Sequence, residues 1–512
     1  MEQQMLLQRE ETPSSSGDPK AASVFSNASA KCRVGSRHIS HWDAEDLVAW
    51  EAGNKLIARR NLFWSVVTVH LGYSVWTLWP VLVLFMPQNV YGFSASDKFL
   101  LDVVATLVGA GLRVPYSMAT TIFGGRNWAI FSAIVLLVPT VGTMMLLTHP
   151  GLPLWPYLVC AALSGLGGGN FAASMSNANA FYPHRLKGSA LGIAGGVGNL
   201  GVPAIQLAGL TVIAVAGDGK PYLVCALYAV LLTTAAIGVA LFMNNVEQHR
   251  VKASQMRPII TAVLSNRDTY LLSLLYLGTF GSFIGFSFAF GQVLQTNFMA
   301  VGQSAAHATL HAAELAFLGP LLAALARIYG GRLADRIGGS RLTLAVFVAM
   351  TVVAGLLISA SSLEGRHTGP LRGATMAGYF VCFIVLFILA GVGNGSVYKM
   401  IPTIFEACGR VLALGPQVGE VESRDRSRVI SGVAIGFVAA LGALGGVGIN
   451  LALRESYVMT GTTTDAFWIF MAFYAGAAAL TWRVYVRRQT VHLQALPPAI
   501  AAQPAPAELI GS

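Results

Sequence analysis

The chain has 512 residues, of which 54% are hydrophobic and only 11% are charged. Soluble domains carry about 25% charged residues, so this composition excludes a soluble globular protein of comparable length. The formal net charge is +10. We expect no nucleic-acid partner, because the basic residues are scattered along the chain and do not form one patch.

The N-terminal region is polar and shows no secretory signal pattern. Residues 1–60 are predicted to form a cytoplasmic tail, which we expect to be disordered before the amphipathic stretch 41–60. That stretch has the composition of a short interfacial helix, with tryptophans and leucines on one side. The Ala- and Pro-rich residues 489–512 predict a second disordered cytoplasmic tail.

Between the tails, twelve apolar runs are long enough to cross the ~30 Å hydrocarbon core of a bilayer as helices. A β-barrel is excluded, because its strands would alternate apolar and polar residues. We predict an N-terminal six-helix bundle over 61–243, a cytoplasmic linker over 244–267 and a C-terminal six-helix bundle over 268–488. The predicted spans lie at 61–86, 99–122, 128–148, 154–181, 188–215, 221–243, 268–295, 306–329, 340–361, 373–404, 429–453 and 465–486.

The distribution of basic residues predicts the orientation of these spans. With both termini inside, the cytoplasmic loops carry fourteen Lys and Arg residues and the outer loops carry five. Cytoplasmic loops of membrane proteins are enriched in Lys and Arg. We therefore expect a multi-pass protein of the cytoplasmic (inner) membrane, surrounded by lipid, with both termini in the cytoplasm.

The two halves of the chain repeat. Arg113 and Arg327 each precede a Gly-Gly pair by 11 residues, and Gly-Gly-Val-Gly occurs at both 195–198 and 445–448. A parallel six-plus-six repeat is the plan of major facilitator transporters, which bind substrate between the halves near the middle of the membrane. The loop 330–339 also resembles the conserved cytoplasmic loop of that superfamily. The predicted fold is therefore all-α, with twelve transmembrane helices in two pseudo-repeats.

The repeated arginines are the strongest functional signal. Arg113 and Arg327 lie inside apolar runs, where a charged side chain costs at least ~2.5–3.5 kcal/mol on insertion scales. Neither has a carboxylate one helical turn away. A guanidinium offers paired donors to oxyanions, so two of them predict a site for a small anion. For Arg327 the alternative is that the side chain extends to the cytoplasmic surface.

Glycine-rich stretches are the second signal. Such residues let helices approach closely or slide, or expose backbone to a small substrate, and simple close packing is the alternative. The glycines assigned to transport motifs are Gly195, Gly196, Gly198, Gly201, Gly445, Gly446 and Gly448.

Other ionisable residues in the spans are few. His70 and Glu314 are the candidates for proton coupling, although each also fits a structural role. Lys399 and Glu406 lie two turns apart in one predicted span, and we expect Lys399 to pair within the protein. The five cysteines show no metal or redox spacing, and no nucleophile–base cluster is evident. We expect no metal, no cofactor and no enzymatic activity.

Several motifs together resemble the nitrate/nitrite porter family of the major facilitator superfamily. The resemblance spans about residues 41–488. The stretches that carry it lie at 113–117 (Arg-Val-Pro-Tyr-Ser), 169–175, 190–202, 275–286 and 442–450.

This resemblance implies roles for individual residues. Arg113 and Arg327 would clamp the anion, and the glycine-rich stretches would be the two nitrate motifs of the family. Phe171 and Phe280 would sandwich the plane of the anion, although aromatic residues in such runs also fit core packing. Further polar contacts would come from Tyr276 and Asn199.

The resemblance also implies transport of nitrate and nitrite, in nitrate assimilation. The 113–117 motif and the lack of central carboxylates favour nitrate/nitrite exchange by alternating access, and proton-coupled nitrate symport on the same fold is the alternative. A non-transporting anion sensor or a gated channel is a third hypothesis. We expect a monomer.

Overall fold

The computed structural model describes residues 37–487, apart from 84–85, 87, 94, 217–219, 248–249, 301, 365–369, 413–419 and 461–462. The two predicted disordered tails, 1–40 and 489–512, lie almost wholly outside the described residues. The described part is helical except for loops and one pair of two-residue strands. This agrees with a chain whose backbone must satisfy its hydrogen bonds in lipid.

Helices of the first half begin after a short strand. The elements are β1 (His38–Ile39), α1 (Leu47–Ala49), α2 (Lys55–Trp76), α3 (Leu78–Leu82), α4 (Gln88–Tyr91), α5 (Ala95–Gly111), α6 (Arg113–Phe123), α7 (Gly125–Val135), α8 (Leu137–Thr148), α9 (Leu154–Ser164), α10 (Leu166–Phe181), α11 (Lys187–Asn199), α12 (Gly201–Ala216) and α13 (Tyr222–Phe242).

The second half follows a short connecting segment. The elements are β2 (Asn245–Val246), α14 (Met256–Leu264), α15 (Arg267–Ala300), α16 (Ala305–Ala316), α17 (Leu318–Ile337), α18 (Gly339–Glu364), α19 (Pro370–Leu412), α20 (Glu420–Thr460) and α21 (Thr464–Thr481).

Within the described residues, nine helical stretches are long and apolar enough to cross a bilayer. They coincide with nine of the twelve predicted spans. The other three runs are also helical, as α2–α3, α5–α6 and α16–α17. The latter two contain Arg113 and Arg327.

The internal repeat is visible in the backbone. Gly124 ends α6 with φ +89°, and Gly338 ends α17 with φ +92°. These values lie in the left-handed region that favours glycine. Each glycine amide closes the last helical turn, donating to Thr120 and Ala334 at 3.0 and 3.1 Å respectively. The two arginine-bearing helices therefore end in the same way, as the repeated spacing in the sequence indicates.

The segment before α2 differs from the helix expected over 41–60. Its helical part begins only at Leu47, after an N-cap by Asp46, and a π-helical turn over Trp50–Asn54 leads into α2. Trp42 and Trp50 are buried, at 2% and 4% exposure. The two tryptophans therefore pack within the protein, because the first half provides aromatic partners for both.

Helices from the two halves meet along the centre of the molecule. The pairs are α11 with α17, α6 with α20 and α10 with α20. Glycines allow the first of these contacts, since a Cβ at Gly192 would lie 3.0 Å from the Cα of Gly331. These contacts bring the two arginines of the repeat to one interface.

Candidate anion-binding site

Arg113 is the first residue of α6 and is fully buried. Its Nη1 donates to the carbonyl of Ala439 in α20 at 2.9 Å, and its Nη2 donates to the Tyr73 hydroxyl at 3.0 Å. The guanidinium carbon lies 4.8 Å from the ring centroid of Phe280 and 5.1 Å from that of Phe171. Arg113 therefore contacts both halves of the protein from the centre of their interface.

Arg327 in α17 is also fully buried. Its Nη1 donates to the Tyr276 hydroxyl at 3.1 Å. The guanidinium carbon lies 5.0 Å from the ring centroid of Phe171 and 4.9 Å from that of Tyr398. Full burial excludes the alternative in which Arg327 extends to the membrane surface.

Phe171 lies between the two guanidiniums, since both contact its ring. Its centroid is 6.0 Å from that of Phe280, with 28° between the ring planes. Phe280 in turn stacks on Tyr276 at 5.0 Å. An anion inserted between two rings needs about 7 Å, twice the usual van der Waals separation. The rings would therefore have to separate by about 1 Å to hold a planar anion between them.

The charges of this cluster are uncompensated. Among the described residues, no carboxylate forms an ion pair with Arg113 or Arg327. The Nε of Arg113 and both Nε and Nη2 of Arg327 are buried and have no hydrogen-bond partner in the described part of the chain. Buried donors are normally satisfied, so three such nitrogens on two cations are donors available to a bound acceptor.

Asn199 ends α11 and is fully buried. Its amide nitrogen and oxygen have no partner among the described residues. Of the four predicted contact residues, Phe171, Phe280 and Tyr276 contact a guanidinium. Asn199 makes no hydrogen bond to a guanidinium among the described residues.

The two candidates for proton coupling lie elsewhere. His70 is half-buried, and its Nδ1 is 3.0 Å from the carbonyl oxygen of Val197. Glu314 is exposed and precedes Arg327 by 13 residues of helix, or about 20 Å at 1.5 Å per residue. Among the described residues, neither side chain forms a hydrogen bond or an ion pair with an arginine of the cluster.

Most of the predicted motif glycines lie against neighbouring helices. A Cβ at Gly195 would lie 2.6 Å from the guanidinium carbon of Arg327, and one at Gly445 would lie 2.9 Å from the Cα of Gly281. Comparable crowding surrounds Gly196, Gly198, Gly201 and Gly446. Gly448 differs, because a Cβ there would meet nothing within 4 Å. Gly195 is thus the motif glycine whose missing side chain leaves space for an arginine.

Three residues of this region were not identified from the sequence. Tyr73 bonds Arg113, and Tyr398 stacks edge-on against Phe171 at 5.5 Å. The hydroxyl of Tyr398 and both amide atoms of the fully buried Asn394 have no partner in the described part of the chain. Asn394 lies one turn before Tyr398 in α19. An aromatic residue in an apolar run carries no sequence signal that separates a ligand contact from core packing.

A second charged cluster closes one end of the interface, about two helical turns from the centre. We call this end, where residues 37–54 and 482–487 lie, the terminal end. Asp335 of α17 accepts from the backbone amides of Gly188 and Ser189 at 3.0 and 2.6 Å, and it pairs with Lys399 at 2.9 Å. Lys187 of α11 forms a buried ion pair with Glu406 of α19.

The expected pairing of Lys399 within the protein is confirmed, and its partners come from both halves. Besides Asp335, its Nζ donates to the carbonyl of His184 at 2.6 Å. Glu406 pairs with the first half through Lys187 and not with Lys399. The two residues thus join the halves at the terminal end.

Both the sequence and the structure of the chain resemble those of known proteins. Residues 63–415 match the family described as Major Facilitator Superfamily. A structural neighbour is the proton:xylose symporter XylE bound to 6-bromo-6-deoxy-D-glucose, with a TM-score of 0.56 and 14% identity over 84% of this chain and 96% of that chain. At this identity the likeness shows the fold alone.

Similar sequences have narrower descriptions. The chain is 36% identical to the nitrate/nitrite transporter NarU of Escherichia coli, over 88% of this chain and 96% of that protein. It is 28% identical to the probable nitrate/nitrite antiporter NarK2 of Thermus thermophilus, over 88% and 97% of the two chains. It is also 28% identical to the nitrite extrusion protein of Bacillus subtilis, over 86% and 98%.

Proposed function

Because the chain belongs to the nitrate/nitrite porter family of the major facilitator superfamily, we propose that it exchanges nitrate for nitrite across the cytoplasmic membrane by alternating access. The observation that carries this proposal is the central pair of arginines. Arg113 and Arg327 are fully buried, come from different halves and have no carboxylate partner among the described residues. A small anion supplies the missing negative charge.

In this proposal both guanidiniums donate to the anion through their unused N–H groups. Arg113 uses Nε, and Arg327 uses Nε and Nη2, since these atoms have no partner among the described residues. Phe171 and Phe280 hold the plane of the anion after a small separation of their rings. Tyr276 fixes the orientation of Arg327 through the 3.1 Å hydrogen bond. A planar oxyanion suits this combination of flat donors and flat rings.

Three further polar groups complete the proposed site. Asn199 and Asn394 each offer a buried amide without a partner in the described chain, and Tyr398 offers a hydroxyl. Tyr398 lies against the ring of Phe171, which itself contacts both guanidiniums. These groups donate to oxygens that the two arginines leave free.

Exchange, as opposed to net uptake, follows from the charge of the empty site. Two like charges in a poorly solvated interior repel each other, so an empty carrier resists closing the halves around them. A bound monovalent anion lowers this repulsion, and the loaded carrier can then reorient. A ligand drives such a change only through its different affinity for the two states. If only the loaded carrier reorients, each inward step requires an outward step with anion.

Proton-coupled symport is the competing mechanism. It needs a group that titrates in the working pH range and communicates with the anion. His70 bonds to a backbone carbonyl, and Glu314 is exposed and distant from Arg327. A change in the protonation of either group would therefore not act directly on the arginines. This arrangement favours exchange.

The proposal includes the arrangement in the membrane. The terminal end faces the cytoplasm, in agreement with the excess of basic residues in the loops there. The halves over 61–243 and 268–488, joined by the linker 244–267, move against each other, and the glycine-rich helices α11 and α20 provide the sliding surfaces. The functional unit is a monomer.

Counterflow in proteoliposomes tests exchange directly. Vesicles are loaded with nitrite or left free of transported anion, the pH is clamped, and uptake of labelled nitrate is followed. We expect rapid uptake only into the nitrite-loaded vesicles. Equal uptake into both kinds of vesicle would contradict exchange. In a second arm without the pH clamp, uptake into the anion-free vesicles driven by an imposed pH gradient would replace exchange by proton symport.

A further inference from the structure

The segment 37–54 contacts the linker before the first long helix begins. β1 pairs in parallel with β2, with His38 opposite Asn245. His38 Nδ1 lies 2.5 Å from Glu247 Oε1, and Arg250 bonds the other carboxylate oxygen at 2.9 Å. These two partners, His38 before Arg250, lower the pKa of the Glu247 carboxyl. The segment is therefore tied to the connection between the halves.

Aromatic contacts fix the rest of the segment. Trp42 meets Phe181 edge-to-face at 5.2 Å, and Trp50 meets Tyr182 in the same way at 5.7 Å. Both partners lie at the end of α10, in the first half. Edge-to-face pairs of this kind add about 0.5–1.5 kcal/mol to the burial of their rings. The segment consequently moves with the first half.

Glu45 lies between these two tryptophans, and its carboxylate reaches the second half. Its backbone amide donates to Asp43 Oδ1 at 2.9 Å, which shapes the turn that directs the side chain. Glu45 Oε1 accepts from the backbone amide of His184 at 2.9 Å and from Arg428 Nη2 at 3.1 Å. His184 belongs to the first half, whereas Arg428 lies on α20 of the second half.

Arg428 is 7% exposed and contacts the first half in one further way. Its Nη1 donates to the carbonyl of Ala180 at 3.4 Å. The Glu45 carboxylate forms an ion pair with this guanidinium across the two halves. Separating the halves would break this ion pair and leave the buried guanidinium without the Glu45 carboxylate unless water replaced it.

We propose that Glu45 is a positioning residue for transport, whose ion pair with Arg428 fastens the N-terminal segment of the first half onto the second half and favours closure of the terminal end. The inference rests on the proposed alternating-access function, but it is independent of which anion is carried. It assigns a role to a segment outside the twelve spans.

The physical basis is a contact that exists in one state only. The bond of Glu45 to His184 stays within the first half and survives opening, whereas the pair with Arg428 must break. Hydrogen bonds to charged groups stabilise more than neutral ones. Replacing the carboxylate by an amide keeps the shape and the contact with His184 and removes the charge. Glu45→Gln should therefore shift the equilibrium toward the open terminal end.

The chain offers a matched control in the same segment. Glu51 is exposed and pairs with Lys55 one turn away, at 2.5 Å, within the first half. Glu51→Gln removes one carboxylate charge from the segment, as Glu45→Gln does, but it breaks no contact between the halves. A general effect of charge or of mutation in this segment would appear in both variants.

Pulsed electron spin resonance can measure the separation of the halves. The five native cysteines are replaced, and spin labels are attached at Asn127→Cys in the first half and Arg341→Cys in the second. Both positions are exposed and lie at the terminal end. We expect Glu45→Gln to raise the ratio of long to short distances about tenfold over Glu51→Gln, a factor that corresponds to ~1.4 kcal/mol.

A charge-reversed pair decides whether the two residues act through each other. Glu45→Lys alone should favour long distances, and Glu45→Lys combined with Arg428→Glu should restore short ones. The same distance distribution in Glu45→Gln and Glu51→Gln, or no restoration in the double variant, would overturn the proposal. The measurement needs no transported anion. Failure of the counterflow experiment would therefore leave this result standing, and the reverse also holds.

Discussion

Two clusters of charged residues lie about 12 Å apart along α17 and differ in whether their charges are paired. At the terminal end, Asp335 and Lys399 satisfy each other across a short ion pair, and Lys187 pairs with Glu406. At the centre, Arg327 has no carboxylate partner among the described residues, and two of its nitrogens have no hydrogen-bond partner there. The same helix thus carries a compensated charge at one level and an uncompensated charge two turns away.

The charges at the terminal end stabilise the structure, whereas those at the centre are available to bind an ion. A buried ion pair stabilises only the conformation in which its partners meet, so the terminal-end pairs favour one closed state. A buried cation without a partner is costly until an ion arrives. The central cluster therefore makes conformation depend on the substrate, and the terminal-end cluster makes it depend on contacts within the protein. Four predictions test this division.

The largest effect is expected from breaking a buried pair at the terminal end. Lys187→Met leaves the Glu406 carboxylate buried without its main partner, and removal of one member of such a pair costs about 3–5 kcal/mol. Thermal unfolding in detergent should show a clear fall in the midpoint. Lys55→Met, which breaks the exposed pair with Glu51, should lower the midpoint far less, because exposed ion pairs contribute little to stability. Equal midpoints for Lys187→Met and Lys55→Met would show that the terminal-end pair is not structural.

The next largest effect is expected at the centre. Arg113→Lys keeps the charge but cannot donate at once to Ala439, to Tyr73 and to an anion, because an ammonium lacks the planar set of donors. Nitrate exchange should fall about 100-fold at matched expression, or ~2.7 kcal/mol. Arg327→Lys should behave likewise. Arg257→Lys, on the exposed face of α14, serves as the control. Wild-type exchange in Arg113→Lys would remove Arg113 from the site.

A smaller effect should follow loss of one hydroxyl. Tyr398→Phe keeps the ring contacts and removes a donor that has no partner in the described part of the chain. We expect KM for nitrate to rise about fivefold, since one net hydrogen bond is worth about 1 kcal/mol, with little loss of stability. Tyr474→Phe loses the bond to Ser282 and should lower stability without changing KM. An unchanged KM in Tyr398→Phe would place its hydroxyl outside the site.

The smallest effect is expected for the proton-coupling candidates. His70→Gln and Glu314→Gln should each leave nitrite-loaded nitrate exchange within about twofold of wild type, because among the described residues neither side chain forms a hydrogen bond or an ion pair with the arginines. Exchange should also change little between pH 6 and pH 8, apart from general stability. Abolition of pH-driven uptake by either substitution would favour symport, and the fold and the anion site would be unaffected.

The sequence predicted those features of the molecule that repeat in the two halves or that cost free energy in a membrane. Arg113 and Arg327 could be identified because a charged side chain within an apolar run is costly unless it has a function or a partner, and because the spacing to the following glycines recurs. Phe171, Phe280 and Tyr276 came from the family resemblance, and the structure places each beside a guanidinium. Their roles in binding stay predictions.

Other contacts could not be predicted because they join distant parts of the chain through ordinary residues. Tyr398 and Asn394 lie in an apolar run where nothing in the local pattern distinguishes them from packing residues. Glu45 meets Arg428 across 383 residues, and its polar segment has the composition of a tail. Such contacts depend on how the halves meet, which local periodicity does not determine.

Nitrate binding to the purified protein tests the central claim most directly. Isothermal titration should give one nitrate per chain for wild type, with affinity weakened at least tenfold by Arg113→Lys and by Arg327→Lys, and unchanged by Arg257→Lys. The two arginines then share one anion from opposite halves. Wild-type affinity in both central variants, or two independent nitrates per chain, would contradict a single site built from the uncompensated pair.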